Sequence, residues 1–306
     1  MSTRHRSSST RMVGIMAAVV VLSLTGCTIP TSTVEGNAVA ERAPDAVVDS
    51  TPPLVPAEPR IDLPLPASGA QVIRDEFATV ATAHPGRLGL AYMPVGGGQV
   101  QVLGDWSSGV AWSTIKVPLA LAAMRSSGSA ELPSATSAIV YSDNAAAEDL
   151  WTSLGDAPAA ADAVEQVLLD GGDPSTGVQE ERIRSGYTSF GQTDWSLAHQ
   201  AQFTSKLQCL DFGASIVDLM QQISSDQSWG LGRIPGAAFK GGWGPGEDGS
   251  YLVRQLGIFG VADGFTAVAI AAEPDSGSFD DGTVMLDAVA EMLGSNTNSL
   301  PYGACA

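Results

Sequence analysis

The chain has 306 residues, of which 44% are hydrophobic, enough for one sizeable globular domain or two small ones. Fifteen lysine and arginine residues stand against 33 aspartates and glutamates, which gives a formal net charge of −18 at pH 7. This charge makes close contact with nucleic-acid phosphates or anionic lipid headgroups unfavourable, and we exclude nucleic-acid binding.

The first residues have the pattern of a secretory leader. A segment with three arginines and no acidic residue precedes an apolar run at residues 12–24, and small residues follow before Cys27. These are the three parts of a signal peptide, which we predict at residues 1–26. The apolar run is short for a segment that spans a bilayer.

The end of this leader, Leu24-Thr25-Gly26-Cys27, resembles the bacterial lipobox. The resemblance implies cleavage before Cys27, a diacylglyceryl chain on its thiol and a lipoprotein anchored to the outer face of the cell membrane. The alternative is an ordinary secretory signal followed by an incidental cysteine. Both interpretations predict an extracytoplasmic protein.

Two cysteines remain once Cys27 is assigned to lipid, namely Cys209 and Cys305. Two thiols in an oxidising compartment most simply form a disulfide, which would join the C-terminus to the body of the domain. Two separate free thiols are the alternative.

Residues 27–67 are rich in proline and lack helical or strand periodicity. Eight of the 18 prolines of the chain fall between residues 28 and 67. Proline-rich chains stay extended at about 3.1 Å per residue, so this segment predicts a tether with a reach of up to about 120 Å.

From residue 68 onward the hydrophobic pattern predicts regular structure. A capping serine and apolar residues three and four apart predict a helix at 68–84, and two alternating runs around three glycines predict a β-hairpin at 86–105. Residues 113–220 have a mostly helical pattern, and three strands and a helix at 281–295 follow. This order predicts a mixed α/β (α+β) domain at residues 68–306, with an antiparallel sheet and a second lobe of inserted helices.

Three short motifs carry residue types suited to acyl transfer. They are Ser113-Thr114-Ile115-Lys116, Ser142-Asp143-Asn144 and Lys240-Gly241-Gly242. A spacing of three places Ser113 and Lys116 on one side of a helix. A hydroxyl becomes a good nucleophile when a base takes its proton, and an amine becomes such a base when burial or a second cation, here Lys240, lowers its pKa.

Each motif alone is common, but their combination and order resemble the serine β-lactamase and penicillin-binding-protein superfamily, nearest to class A. That superfamily carries S-x-x-K, S-D-N and K-T-G, and the resemblance runs from about residue 69 to residue 306. It implies a β-lactamase-like fold, in which a five-stranded antiparallel sheet is flanked by helices and joined to an all-helical lobe.

The resemblance also implies catalytic roles. Ser113 would be the acylated nucleophile and Lys116 its base. Ser142 would relay a proton to the leaving group, and Lys240 would be an electrostatic partner.

Pro118 removes a hydrogen bond from the first helical turn, so we expect an irregular turn at this site.

The substrate-binding residues follow from the same resemblance. Asn144 would bind an amide of the substrate, and the backbone N–H groups of Ser113 and Trp243, next to Gly242, would form the oxyanion hole. Arg254 would bind a substrate carboxylate, although an arginine on an exposed strand is the commoner explanation of such a residue.

The sequence departs from the family pattern in two places that bear on function. Gly241 stands where K-T-G has a threonine, so one hydroxyl ligand for a substrate carboxylate is missing. Class A enzymes take the deacylating base from an E-x-x-L-N run, and the nearest match here is at residues 180–184, without the asparagine. Glu180 or Glu181 would hold the deacylating water, or the two form an exposed acidic pair and the acyl-enzyme is long-lived.

Other chemistries find less support. Of the three histidines, His84 and His199 lie outside the leader, and neither has a G-x-S-x-G partner for a Ser-His-Asp triad. No histidine, cysteine and acidic residues have the spacing of metal ligands, and the glycine-rich stretch at 96–98 lacks the context of a nucleotide loop. We expect no metal and no cofactor.

We therefore expect a serine hydrolase that forms an acyl-enzyme at Ser113 and hydrolyses the amide bond of β-lactams. A D,D-peptidase-like or esterase-like penicillin-binding lipoprotein is the second hypothesis, and a substrate-binding lipoprotein without turnover is the third. The expected partners are a small-molecule substrate, either a β-lactam or a peptidoglycan-like peptide, and the membrane through the lipid anchor. We expect a monomer.

Overall fold

The computed structural model describes residues 67–306. The predicted signal peptide at residues 1–26, the predicted lipid site at Cys27 and the predicted tether up to residue 66 lie outside the described residues. None of the helices between residues 67 and 306 combines the length and the apolar character that crossing a bilayer requires.

The main sheet has five antiparallel strands in the order β2-β1-β7-β6-β5. They are β1 (Gly86–Pro94), β2 (Gln101–Gly104), β5 (Ala238–Pro245), β6 (Tyr251–Val261) and β7 (Gly264–Pro274). The predicted hairpin and the three late strands are confirmed. A second sheet, which no sequence pattern predicted, pairs β3 (Ser108–Val110) with β4 (Asp194–Ser196).

The helices follow the predicted order. They are α1 (Ala67–Ala83), α2 (Lys116–Ser127), α3 (Leu132–Val140), α4 (Asn144–Ser153), α5 (Ala157–Asp170), α6 (Leu197–Leu207), α7 (Gly213–Met220) and α8 (Phe279–Ser295). Helices α2 to α7 lie between β3 and β5 in the chain, which confirms the inserted helical block. Only the short strand β4 interrupts them within the described residues.

Both faces of the sheet are covered, and the side chains of β7 show how. Successive strand residues point to opposite faces. Val268 and Ile270 pack in one core cluster with Ile73 of α1 and Val289 of α8. Ala269 and Ala271, which alternate with them, belong to a second cluster with residues of α6. Because both faces are buried, β7 is a nearly continuous apolar run.

The second face also carries the large helical core. Leu119 and Leu121 of α2, Leu150 of α4 and Phe203 of α6 are fully buried in one cluster, which includes Leu256 of the sheet. Helix α2 is buried almost all round, with nine consecutive buried residues at 116–124. A helix of this kind is fixed by packing on all sides and makes a rigid base for the residues at its start.

The predicted disulfide is present. Cys209, just after α6, is bonded to Cys305, with the two Cα atoms 5.3 Å apart. The C-terminal segment also pairs with the main sheet, because Phe265 and Gly303 form an isolated antiparallel bridge. The disulfide therefore holds the C-terminus against α6 and the start of β7.

We expect the double substitution Cys209→Ser and Cys305→Ser to lower the free energy of unfolding by about 4 kcal/mol, because the bond closes a loop between residues 96 positions apart. Urea unfolding of the soluble fragment measures this value. Reducing the disulfide of the wild-type fragment should produce the same loss, and a loss below about 1 kcal/mol would contradict the prediction.

Candidate active site

Ser113 lies in an irregular turn at the start of α2. Residues Trp112–Ile115 form a 3-10 helix, and α2 begins at Lys116 with Pro118 in its first turn. The irregular turn expected from Pro118 is therefore confirmed. In a 3-10 helix, residues three apart are eclipsed, so Ser113 and Lys116 face the same side. Ser113 is half-buried, and its hydroxyl has no hydrogen-bond partner among residues 67–306.

Two of the three lysines in the chain are buried together beside this turn. The Lys116 side chain is 1% exposed, and its Nζ donates hydrogen bonds to the carbonyl oxygen of Ser142 at 2.6 Å and to Oδ1 of Asn144 at 2.7 Å. Burial lowers the pKa of Lys116 to about 7, and the negative charge of Asp143 opposes that shift. An amine with this pKa is a base near neutral pH.

Lys240 approaches the same point from β5. Its side chain is fully buried, and its Nζ lies 3.0 Å from Oγ of Ser142 and 2.9 Å from the carbonyl oxygen of Gly241. Burial and the neighbouring charge of Lys116 lower the pKa of Lys240 well below its usual value. Since Lys116 Nζ lies 3.4 Å from the same hydroxyl, Ser142 stands between the two amines.

The loop that carries Ser142 is fixed by the start of α4. Asp143 caps this helix by accepting hydrogen bonds from the backbone N–H groups of Ala145 and Ala146. Asn144 is the first helical residue, and its side chain reaches Lys116. The cap formed by Asp143 therefore directs its two neighbours within the motif, Ser142 and Asn144, toward the buried amines.

The third motif packs directly against the serine turn. A Cβ atom at Gly242 would lie 2.8 Å from the backbone nitrogen of Ser113, so glycine lets β5 approach this closely. A Cβ atom at Gly241 would lie 2.9 Å from the Trp229 ring, so the indole fills the room that a threonine side chain would need. Trp243, the next residue, lines the cavity beside Ser113.

These residues surround a cavity of about 510 Å³. Its lining includes Ser113, Lys116, Ser142, Asn144 and Trp243. The structure therefore brings together the side chains of four predicted catalytic or binding residues, with Lys240 buried behind them. Trp112, Tyr141 and Tyr187 also line the cavity.

Arg254 does not reach this cavity, so the predicted contact with a substrate carboxylate is corrected. Its guanidinium is fully buried and donates hydrogen bonds to the backbone oxygens of Gly109, Val110 and Trp195 and to Oε1 of Gln200. The alternative interpretation, an arginine on an exposed strand, is also wrong, because this side chain is buried. The side chain instead joins β6 to the β3–β4 sheet.

The structure also does not place the predicted deacylation residues in the cavity. Glu180 and Glu181 are exposed, and neither belongs to its lining. This arrangement agrees with the alternative of an exposed acidic pair.

Several polar side chains of the cavity wall were missed by sequence reasoning, among them Glu148 and Gln192. Glu148 lies four residues after Asn144 on α4, a spacing that places the two on one helical face and was available as a signal. Gln192 is 6% exposed, and neither its Nε2 nor its Oε1 has a hydrogen-bond partner among the described residues. No pattern in the sequence distinguishes it from other glutamines.

Within residues 67–306, no group of three or more histidine, cysteine, aspartate or glutamate side chains is arranged to hold a metal ion. The described residues of the cavity offer hydroxyl and amide groups, the carboxylates of Glu148 and Asp226, and the buried amine of Lys116.

Comparison with known proteins identifies the fold. No protein-family model and no curated protein match the sequence. Among solved structures, a class A β-lactamase from Bacteroides cellulosilyticus is similar with a TM-score of 0.63 and 12% identity, covering 76% of this chain and 99% of that one. A class A β-lactamase from Mycobacterium abscessus is similar with a TM-score of 0.55 and 17% identity, covering 72% and 97%.

A β-lactamase from Streptosporangium roseum is similar with a TM-score of 0.56 and 16% identity, covering 76% of this chain and the whole of that one. The similarity covers nearly the full length of each of these three proteins. The five-stranded antiparallel sheet with its inserted helical block agrees with their fold. The described part of this chain therefore has the fold of the class A β-lactamases.

Proposed function

We propose that the protein is a serine hydrolase that forms an acyl-enzyme at Ser113 and hydrolyses the amide bond of β-lactams. One observation carries the proposal. The buried amines of Lys116 and Lys240 meet at the hydroxyl of Ser142, in the wall of the cavity that contains Ser113. Burying two amines is costly unless they have a function or a partner, and perturbed pKa values of this kind cluster at catalytic sites.

The hydrogen bonds of Lys116 suit it to act as the base. A neutral amine has two N–H groups and one lone pair, and Nζ has two short hydrogen bonds to oxygens that can only accept, the Ser142 carbonyl and Asn144 Oδ1. The lone pair makes only the longer contact of 3.4 Å with Ser142 Oγ and can therefore accept the proton of the Ser113 hydroxyl, which faces the same side. The resulting oxygen nucleophile attacks the carbonyl carbon of the substrate.

Ser142 completes the first half of the reaction. When the tetrahedral intermediate collapses, the leaving nitrogen takes a proton, which the Ser142 hydroxyl supplies and recovers from the neighbouring Lys116 ammonium. The backbone N–H groups of Ser113 and Trp243 are the proposed oxyanion hole, and the close approach of β5 at Gly242 supports it. Asn144 would bind an amide of the substrate.

A penicillin-binding D,D-peptidase-like or esterase-like activity is the second candidate. It is favoured by the position of Glu180 and Glu181 outside the cavity, because an acyl-enzyme without a base for water is long-lived. Gly241, which packs against the Trp229 ring, also lacks the threonine hydroxyl that would bind a substrate carboxylate. A substrate-binding protein without turnover remains the third candidate.

Intact mass spectrometry of a soluble fragment over time, with a penicillin and with a cephalosporin, separates these candidates. We expect an adduct that maps to Ser113 and disappears with release of hydrolysed drug. A lasting adduct would support penicillin binding without turnover. Absence of any adduct would contradict the proposed acyl-enzyme.

We also propose that the mature protein is an extracytoplasmic lipoprotein anchored through Cys27. The leader sequence supports this, and the Cys209–Cys305 disulfide is consistent with an oxidising compartment. Mass spectrometry of the N-terminal peptide from cell membranes tests it, since an unmodified N-terminus or an uncleaved leader would contradict the proposal.

A further inference from the structure

The cavity has carboxylates other than those expected from the sequence. Among the described residues, the acidic side chains in its lining are Glu148 and Asp226. Hydrolysis of an acyl-enzyme requires a base that takes a proton from water. These two positions are the carboxylate candidates for that base.

Helix α4 directs Glu148 toward the reacting groups. Asn144 is bound to Lys116, so the face of α4 that carries Asn144 is turned toward the buried amines. Glu148 lies four residues later on the same face, one helical turn farther along. On other sides of the helix Ala147 and Leu150 are fully buried, which fixes its rotation.

An ion pair at the edge of the cavity contacts one oxygen of the Glu148 carboxylate. Nη2 of Arg182 lies 2.8 Å from Oε1 of Glu148, and Nη1 of the same guanidinium donates to the carbonyl oxygen of Tyr187 at 2.7 Å. The second oxygen, Oε2, has no hydrogen-bond partner among residues 67–306. Glu148 therefore offers the cavity a carboxylate with one oxygen available to a water molecule.

Gln192 lies in the same wall, but its two polar atoms are buried away from the open space and do not reach a water molecule in the cavity. Asp226, by contrast, is exposed and makes no ion pair among the described residues, so nothing orients it.

We propose that Glu148 is the general base that activates water for hydrolysis of the acyl-enzyme, an assignment that rests on the proposed function. The Glu148 carboxylate takes one proton from the water while the water oxygen bonds to the acyl carbon. The tetrahedral intermediate then breaks the bond between that carbon and Ser113 Oγ. The proton that Glu148 took from water passes through solvent and the neutral Lys116 amine to Ser113 Oγ, so that Glu148, Lys116 and Ser113 all return to their starting forms.

The substitution Glu148→Gln tests this assignment with a penicillin as the probe. It keeps the size and one hydrogen-bond acceptor of the side chain and removes the base. We expect the rate constant for adduct loss to fall by about 10² to 10³-fold, while the rate of adduct formation stays within about 2-fold of wild type. Intact mass spectrometry measures both rates on the same sample.

Two comparisons distinguish a catalytic role of Glu148 from a structural one. Glu180→Gln is the matched control outside the cavity, and we expect adduct loss at the wild-type rate. The pH dependence of adduct loss, which a carboxylate base imposes, should be present in wild type and absent in Glu148→Gln. A purely structural role of the ion pair would alter adduct formation and adduct loss together and would leave that pH dependence in place.

The outcomes separate the two proposals. If the adduct lifetimes in wild type and Glu148→Gln are equal, the assignment of Glu148 is overturned, even where both lifetimes are hours. The proposed acyl-enzyme at Ser113 is not affected by that result. A longer lifetime in Asp226→Asn alone would transfer the role to that residue and also overturn it. No adduct in any variant would overturn the proposed function, and the assignment with it.

Discussion

We expect Ser113→Ala to form no covalent adduct with a penicillin and to hydrolyse it at least about 10⁴-fold more slowly than the wild type. The neighbouring hydroxyls cannot take over the role. Thr114 Oγ1 is buried and donates to the carbonyl oxygen of Ala111 while it accepts from Gln200, and Ser142 Oγ is held by Lys240. Intact mass spectrometry and steady-state hydrolysis give the two quantities.

The matched control is Ser153→Ala, which makes the same chemical change at the far end of α4 and should behave as wild type. The Ser113→Ala fragment should also unfold at the wild-type temperature within experimental error, because the half-buried hydroxyl has no hydrogen-bond partner among the described residues. An adduct on Ser113→Ala that maps to Ser142 would contradict the assignment of the nucleophile.

Removal of the Lys116 amine should have the second largest effect. We expect Lys116→Met to lower the acylation rate by about 10³-fold, since general-base catalysis contributes about 10² to 10⁴-fold. In the wild type, acylation requires the neutral amine, whose pKa burial lowers to about 7. The rate should therefore rise with pH up to about 7, level off above it, and lose this dependence in Lys116→Met.

Lys206→Met is the control for Lys116→Met, because Lys206 is the remaining lysine and bonds the backbone oxygen of Gly96, away from the cavity. It should keep both the acylation rate and its pH profile. A wild-type rate that increases from pH 9 to pH 11 instead would mean that Lys116 keeps an ordinary amine pKa, and another base would then have to be found.

The sequence predicted features that are set by local backbone chemistry. Three glycines at 96–98 predicted a hairpin turn, and all three have positive φ values of 90° to 138°. Pro118 predicted an irregular turn before α2, and a 3-10 helix forms there. Each depends on residues close in the chain, where steric rules decide the conformation.

Features that depend on distant partners were not predictable in the same way. The alternation of β6 gives the face to which Arg254 points, but the carbonyl groups that surround it come from β3 and β4, which are far from it in the chain. The β3–β4 pair itself consists of two three-residue strands separated in the chain by helices α2 to α5. Glu148 had a local signal, yet a glutamate on a helix is most often a solvated side chain.

The placement of α1 has a practical consequence. This helix packs with α8 on one face of the sheet, whereas α2 and the serine turn lie on the other. A fragment that begins at residue 67 can thus be coupled to a bead or a sensor chip through its N-terminus, with the sheet standing between the support and the entrance to the cavity. Immobilised in this way, the domain should capture drug molecules from solution without obstruction by the support.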